Sequence, residues 1–222
     1  MGKQGEKVWY DFFMDAKSFY QIEMQTKRLK LRIPKNEETA GLAKVLADGI
    51  QEEGQPHFMD DNLYGKSVEE NTKVLKEFIE KAIYQWNKEN WHIPFGVFLD
   101  DQPIGLVTIF SNHFPITKGF GCSYWIGLPY QKKGYGTEAF QALLSFGFDG
   151  LVAREAYVGA YSDNIPSLRL LEKLEFVFNG EYWMERGGKA IKDRRMRLPR
   201  EKWQKPTDIK IDGLASAADL FI

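Results

Sequence analysis

A glycine-rich turn between a strand pattern and a helix pattern sets the architecture of this chain. Residues 131–137 read Gln-Lys-Lys-Gly-Tyr-Gly-Thr and lie between an apolar run at residues 124–128 and an amphipathic segment. Two glycines let the backbone tighten, and the first turn of a helix presents unpaired N–H groups at the positive end of its dipole. Such a turn is suited to a phosphate, although it is also compatible with an ordinary solvated helix entry.

A second group of residues lies about 30 positions further along and makes the pattern more specific. Asp163-Asn164-Ile165-Pro166-Ser167 precedes an apolar helical pattern that ends near Phe176. With this group included, the chain resembles the GNAT superfamily of acyl-CoA-dependent N-acyltransferases, in particular its RimJ/RimL-like branch, over roughly residues 26–203. The stretches that carry the resemblance are Tyr124-Trp125-Ile126-Gly127, Gln131-x-x-Gly134-x-Gly136-Thr137-Glu138-Ala139 and Asn164-x-x-Ser167-x-x-Leu170-x-Glu172-Lys173-Leu174-x-Phe176.

Composition limits the remaining classes of function. The 222 residues, 43% hydrophobic and 27% charged, are enough for one core, and a net charge of −1 gives no electrostatic case for nucleic acid or an acidic membrane. Cys122 is the single cysteine, so neither an internal disulfide nor a cysteine zinc cluster is expected. The absence of an export leader or a long apolar run leads us to expect a cytoplasmic protein.

The order of predicted elements indicates an α/β fold. Strands are expected at residues 27–33, 94–99, 103–110, 119–128, 154–161, 176–184 and 190–198, and helices at 36–50, 67–86, 139–148 and 164–174. Asn36 is expected to cap the first of these helices, and Ser67 with Glu70 to form a capping box for the second. The resemblance implies a GNAT-like mixed, mostly antiparallel sheet with a splayed central strand pair, flanked by helices. We expect an aromatic arm at residues 1–25, the acyltransferase domain at 26–203 and an extension at 204–222.

Coenzyme A is the cosubstrate that the resemblance implies, as acetyl-CoA or another acyl-CoA, with no metal. In the family, a bulged strand parts from its parallel neighbour and the pantetheine arm lies in the opening. Backbone groups of residues 125–128 are expected on the pantetheine, and N–H groups of residues 133–137 on the pyrophosphate. The cofactor contacts expected are Trp125, Ile126, Gly127, Leu128, Gln131, Lys132, Lys133, Gly134, Tyr135, Gly136, Thr137, Asn164 and Ser167.

Asn164 and Ser167 are the expected catalytic residues, although helix capping alone would also explain them. The resemblance implies direct attack of an amine on the thioester, with Ser167 protonating the thiolate and the N–H of Ile126 stabilising the oxyanion. Many family members place a Tyr where this chain has Leu171, and a Glu near the position of Gly121. The general base is therefore open, with these candidates: His57, Asp60, Asp61, His113 and Glu155.

The predicted function is transfer of an acyl group, acetyl first, to an amine of a small molecule or a protein N-terminus. Small residues at positions 119, 121 and 123 leave a succinyl donor as an alternative. A non-catalytic acyl-CoA sensor or an interaction protein is also compatible with the sequence. We expect a homodimer or larger homo-oligomer. The arm is expected to fold on its own domain, join a dimer contact or cover the acceptor site, and residues 214–222 to pack on a neighbour.

Overall fold

The computed structural model describes residues 18–52, 58, 66–217 and 220–221. The strands are β1 (Glu23–Gln25), β2 (Leu29–Arg32), β3 (Asn90–Leu99), β4 (Gln102–Asn112), β5 (Gly119–Ile126), β6 (Glu155–Tyr161), β7 (Val177–Arg186), β8 (Lys189–Pro199) and β9 (Lys210–Asp212). The α-helices are α1 (Thr39–Ala47), α2 (Val68–Tyr84), α3 (Phe114–Thr117), α4 (Tyr135–Ser145), α5 (Ile165–Lys173) and α6 (Leu214–Ala217). Short 3₁₀ turns cover Asn36–Glu38, Leu128–Tyr130 and Arg200–Lys202, and a π-helical turn covers Phe146–Gly150.

One mixed sheet joins the described strands in the order β7-β8-β6-β5-β4-β3-β2-β1-β9. The pairs are antiparallel except β5 with β6, which is parallel. Helices cover both faces: α4 and α5 lie on one, where Phe140 and Leu168 join the main core. On the other face, Leu42 of α1 and Leu75 of α2 pack against Trp125. The predicted fold class is confirmed.

The helix starts follow from local chemistry. Ser67 accepts a hydrogen bond from the N–H of Glu70, whose carboxylate accepts one from the N–H of Ser67, so the predicted capping box opens α2. The prediction that Asn36 caps a helix is wrong. A 3₁₀ turn begins at Asn36, because the Glu38 carboxylate accepts from the N–H of Lys35 at 2.8 Å and holds the turn there.

Both ends of the described chain belong to the main core. Strands β1 and β9 pair with each other, and neither was expected from the sequence. Phe221 is fully buried, with its ring against Trp91 and Phe146, and Ala217 and Leu220 are buried in the same core. These three residues therefore pack within their own chain, whereas the segment was expected to pack on a neighbour. Of the aromatic arm, residues 18–25 lie in the described region and Phe19 is buried there; residues 1–17 lie outside the described residues.

Among the described residues, no helix combines the length and the apolar character needed to cross a membrane.

Candidate active site

The parallel strands β5 and β6 separate in the middle of the sheet. They pair over three residues, from Gly119 with Glu155 to Gly121 with Tyr157. Beyond that point β5 stays on β4 as far as Ile126, and β6 stays on β8 as far as Tyr161. The β4–β5 register is uninterrupted, so the expected bulge in β5 is absent from this ladder. The splay nevertheless opens the carboxyl ends of two parallel strands, where α/β folds place ligands.

A cleft of about 880 Å³ occupies this opening. Nine of the thirteen expected cofactor residues line it: Trp125, Ile126, Gln131, Lys132, Gly134, Gly136, Thr137, Asn164 and Ser167. The other four, Gly127, Leu128, Lys133 and Tyr135, lie outside the lining. The structure therefore gathers both sequence motifs, about 30 residues apart in the chain, around one cavity.

The glycine turn forms an uncapped helix start at the cleft. Gly134 is the N-cap of α4, with φ of +84°, and it carries no side chain that could bond the free N–H groups of the first turn. A Cβ at Gly136 would lie 3.7 Å from Ile126 and 3.8 Å from Leu170, so this position faces the gap between the walls. The exposed N–H groups and the helix dipole suit an anion, and the geometry fits a pyrophosphate.

Arg28, for which the sequence predicted no role, connects this turn to the hairpin formed by β1 and β2. It forms an ion pair of 2.5 Å with Glu138 in the first turn of α4, and its guanidinium donates to the carbonyl of Lys133 at 3.1 Å. It also stacks 4.4 Å from the centroid of the Tyr135 ring. Through these contacts with Arg28, Lys133 and Tyr135 help to hold the turn in place.

Three expected ligand contacts already have partners in the protein. The N–H of Gly127 donates to Ile104 at 2.8 Å, and that of Leu128 to Gly49 at 2.9 Å, so neither is available to a pantetheine amide. The Gln131 side-chain amide bridges the carbonyls of Ile50 at 2.6 Å and Ile126 at 2.8 Å. These bonds fix the loop that joins β5 to α4. On β5, the remaining expected pantetheine contacts are Trp125 and Ile126.

Lys132 lies at the rim of the cleft, with its ammonium 2.8 Å from the Glu52 carboxylate. The side chains are both exposed, and the hydrogen bond raises the pKa of Lys132 and lowers that of Glu52. An exposed ion pair of this kind is weak and easily exchanged. Lys132 can therefore turn to a phosphate group without a large cost.

Asn164 and Ser167 stand together at the start of α5. The Asn164 side-chain oxygen accepts a hydrogen bond of 3.2 Å from the N–H of Ser167, which is the capping role that the sequence also allowed. Asp163, one residue earlier, forms a two-pronged ion pair with Arg186, which lowers the pKa of its carboxyl and anchors the turn. Ser167 is 9% exposed and faces the cleft.

Tyr124 belongs to one of the stretches that carry the family resemblance, but no role was predicted for it. Its hydroxyl donates to Oγ of Ser167 at 3.2 Å across the cleft. Burial raises the pKa of Tyr124, and the hydrogen bond to Ser167 offsets this only in part, so the phenol stays protonated near neutral pH. Tyr124 lies two residues before Ile126 on β5, so both side chains point to the sheet face that meets α4 and α5. This spacing was the sequence signal that could have placed Tyr124 in the site.

The described candidates for the general base do not line the cleft. His113 follows β4 and lies 3.7 Å from Glu89 at the surface, and Glu155 begins β6, 3.6 Å from Arg197. His57, Asp60 and Asp61 lie outside the described residues. A different carboxylate, Asp193 on β8, does line the cleft. The sequence showed it only as one acidic residue among the basic ones at 192–195.

Packing also bears on the reactivity of Cys122 and on the pocket suggested for a succinyl donor. Cys122 is buried, and burial raises the pKa of its thiol well above the usual value, which disfavours a nucleophilic thiolate. The space beside Gly121 is filled by the ring of Phe110, and a Cβ at Gly119 would lie 3.1 Å from Tyr157. Only Ser123 of the three small residues lines the cleft, so they do not form the pocket suggested for a succinyl group.

Within the described part of the chain, no three His, Cys, Asp or Glu side chains are grouped so that they could hold a metal ion.

Comparison with known proteins agrees with this geometry. The Bacillus subtilis (strain 168) protein named "Uncharacterized N-acetyltransferase YnaD" is 33% identical over 104 residues, which are 46% of this chain and 59% of that protein. The chain thus matches less than two thirds of that relative's length.

Solved structures share the fold at low sequence identity. Mycobacterium smegmatis RimJ in complex with CoA-disulfide superposes with a TM-score of 0.68 at 17% identity, covering 91% of this chain and 97% of that chain. RimL, a ribosomal alpha-N-protein acetyltransferase in complex with coenzyme A, gives 0.66 at 16% identity, covering 80% and 97%. The family model of the acetyltransferase (GNAT) domain matches residues 28–177, more than half of the sequence, and the chain therefore belongs to the GNAT acetyltransferase family.

Proposed function

We propose that the protein transfers an acyl group, acetyl in the first instance, from acyl-CoA to an amine. The observation that carries the proposal is the splay between β5 and β6, with the uncapped start of α4 and Ser167 both on the lining of the cleft that it opens. A phosphate site, a slot for an extended arm and a proton donor thus share a single cleft. Membership of the GNAT family supports the same activity.

The pyrophosphate is assigned to the N–H groups of residues 134–137 at the start of α4, because Gly134, Gly136 and Thr137 line the cleft there. Lys132 adds a cation at the rim. The pantetheine arm is assigned to the gap between Ile126 on β5 and Leu170 on α5, where Gly136 leaves room. Trp125 and Ile126 are the strand residues left to contact it.

Ser167 and Tyr124 are assigned to the leaving group. When an amine displaces the thiolate, the sulfur needs a proton or a hydrogen bond. Oγ of Ser167 lies in the cleft and accepts a hydrogen bond from the Tyr124 phenol, so a proton given by Ser167 can be replaced from Tyr124. This pair takes over the role of the Tyr that many relatives carry at the position of Leu171.

The acceptor is proposed to be an amine of a small molecule or a protein N-terminus. RimL, whose fold this chain shares, is a ribosomal alpha-N-protein acetyltransferase, which makes an N-terminal acceptor worth testing first. The acyl donor is proposed to be acetyl-CoA, because Phe110 fills the space that a larger group was expected to use.

A screen of free-thiol release tests the proposal. Wild-type protein is incubated with acetyl-CoA or succinyl-CoA and a panel of peptides with free N-termini, lysine analogues, polyamines and aminosugars. We expect amine-dependent thiol release with acetyl-CoA. Coenzyme A binding by calorimetry with no turnover on any amine would instead support an acyl-CoA sensor, and no binding would leave an interaction protein.

A further inference from the structure

Asp193 is a buried carboxylate that the acyl-transfer scheme has not used. It is 7% exposed, lies on β8 and lines the cleft. Its Oδ2 atom is shielded from solvent and has no hydrogen-bond donor among the described residues. Nε of Arg195 lies 2.7 Å from Oδ2 but makes no aligned hydrogen bond with it. Buried carboxylate oxygens are normally satisfied, so this carboxylate lacks a hydrogen-bond donor that a buried group would ordinarily have.

Gly159 lets this carboxylate reach the cleft from the next strand. A Cβ at Gly159 would lie 2.9 Å from Oδ2 of Asp193 and 2.8 Å from Nη1 of Arg195. The carboxylate therefore rests over the backbone of β6, the strand that forms one wall of the splay. Any side chain at position 159 would push it away.

Strand alternation places Asp193 on the sheet face opposite the leaving-group pair. The pairing of Gly121 with Tyr157 and of Tyr161 with Asp193 puts Ser123, Gly159 and Asp193 on one face. Tyr124 and Ser167 belong to the other face, with α4 and α5. In a thioester bound in the splay, the leaving sulfur would thus face Ser167 on one side of the sheet, and the incoming amine would face Asp193 on the other side.

We propose that Asp193 is the general base that takes the proton from the acceptor amine, an inference that rests on the acyl transfer proposed above. The amine nitrogen forms a bond to the thioester carbonyl carbon while the carbon–sulfur bond breaks. The amine's proton passes to Asp193 and then to water. The sulfur leaves with the bonding electron pair and takes a proton from Ser167 or water. The incoming amine supplies a hydrogen-bond donor to the carboxylate that lines the cleft.

The surroundings suit a base. Burial raises the pKa of the Asp193 carboxyl above its usual value and lowers the pKa of the Arg195 guanidinium. The groups that face Asp193 are Arg195 on its own strand, Tyr161 opposite it on β6 and Tyr182 opposite it on β7. Arg195 lies 4.5 Å from the centroid of the Tyr182 ring, which holds the guanidinium to one side.

The test is Asp193→Asn, assayed with the best acceptor from the amine panel. We expect kcat/KM for the acceptor to fall by about 100- to 10,000-fold, with the coenzyme A Kd changed less than about twofold. In the wild type, log kcat/KM should rise with pH along a limb that the variant lacks. The matched control is Glu181→Gln on β7, a carboxylate of the same hairpin that is paired with Lys192 away from the cleft and should keep wild-type kinetics.

Wild-type kcat/KM and an unchanged pH profile in a folded Asp193→Asn protein would overturn the assignment while leaving acyl transfer intact. No turnover by the wild type on any amine would refute acyl transfer and this inference together. If Asp193→Asn does not fold, Gly159→Ala serves instead, because its methyl displaces the carboxylate from the cleft side. It should lower kcat/KM at least about tenfold without changing coenzyme A affinity, and unchanged kinetics would count against Asp193.

Discussion

Gly136→Ala separates ligand binding from folding at the glycine turn. A Cβ at position 136 would lie 3.7 Å from Cγ1 of Ile126, 3.8 Å from Cδ1 of Leu170 and 4.0 Å from Cε2 of Tyr124. These are ordinary contact distances, so the methyl fits without strain. It touches both walls of the cleft, however, and non-bonded carbon atoms need about 3.5–4.0 Å of separation. We therefore expect the methyl to occupy space through which the pantetheine arm is proposed to pass.

The expected effects on stability and on affinity therefore differ in sign. Alanine replaces glycine in the first turn of α4, where helix propensity favours it by up to about 1 kcal/mol, so the Tm should stay or rise. Coenzyme A affinity should fall at least about tenfold, which is about 1.4 kcal/mol. Gly134→Ala is the contrast, since φ of +84° makes a side chain there cost about 1–2 kcal/mol of stability.

Calorimetry of coenzyme A binding and thermal unfolding on the same samples measure the two effects. We expect weaker binding at unchanged or higher Tm for Gly136→Ala, and a lower Tm for Gly134→Ala. A folded Gly136→Ala protein with the wild-type Kd would refute the assignment of the pantetheine path to this gap.

Four further substitutions test other parts of the structure. Ser167→Ala should lower kcat by about 10- to 1000-fold with little change in coenzyme A Kd. Adding Tyr124→Phe to Ser167→Ala should lower kcat little further, because both residues are proposed to act on the same proton. Additive losses of kcat in steady-state assays would contradict proton transfer from Tyr124 through Ser167. Phe221→Ala should cost about 3–5 kcal/mol in urea unfolding, because the ring is fully buried, and a loss below about 1 kcal/mol would contradict its place in the core. The two 2.6 Å hydrogen bonds from Arg32 lower the pKa of Glu38 from 4.5, so this stabilisation is present above pH 4.5 and lost as the pH falls through the folded-state pKa. Glu38→Gln should therefore unfold with less acid sensitivity, and an unchanged pH dependence would count against the pair.

The sequence predicted the elements whose signals are local. Ser67 with Glu70 located α2, and the glycines at 134 and 136 located the turn before α4, although the helix was expected from residue 139 and begins at Tyr135. The segments at residues 23–25 and 210–212 were missed because three-residue strands are too short to show periodicity, and their pairing with each other joins the two ends of the described chain. The burial of Phe221 depends on the same long-range contacts.

Within the site, motif spacing identified the cleft but not the hydrogen-bond partners of its residues. Gly127 and Leu128 follow the strand as the family pattern requires, yet their N–H groups already donate to Ile104 and Gly49. Asp193 could not be found, since its position depends on the register of β8 with β6 and on the missing side chain of Gly159. Such contacts between distant segments leave no mark in local sequence.

A crystal structure of the protein with acetyl-CoA tests the central claim most directly. The account predicts pyrophosphate oxygens within about 3 Å of the N–H groups of residues 134–137. It also predicts the thioester in the splay beyond Gly121 and Tyr157, with its sulfur within hydrogen-bond reach of Ser167. Acetyl-CoA bound elsewhere on the protein, with the cleft between β5 and β6 free of it, would contradict the account.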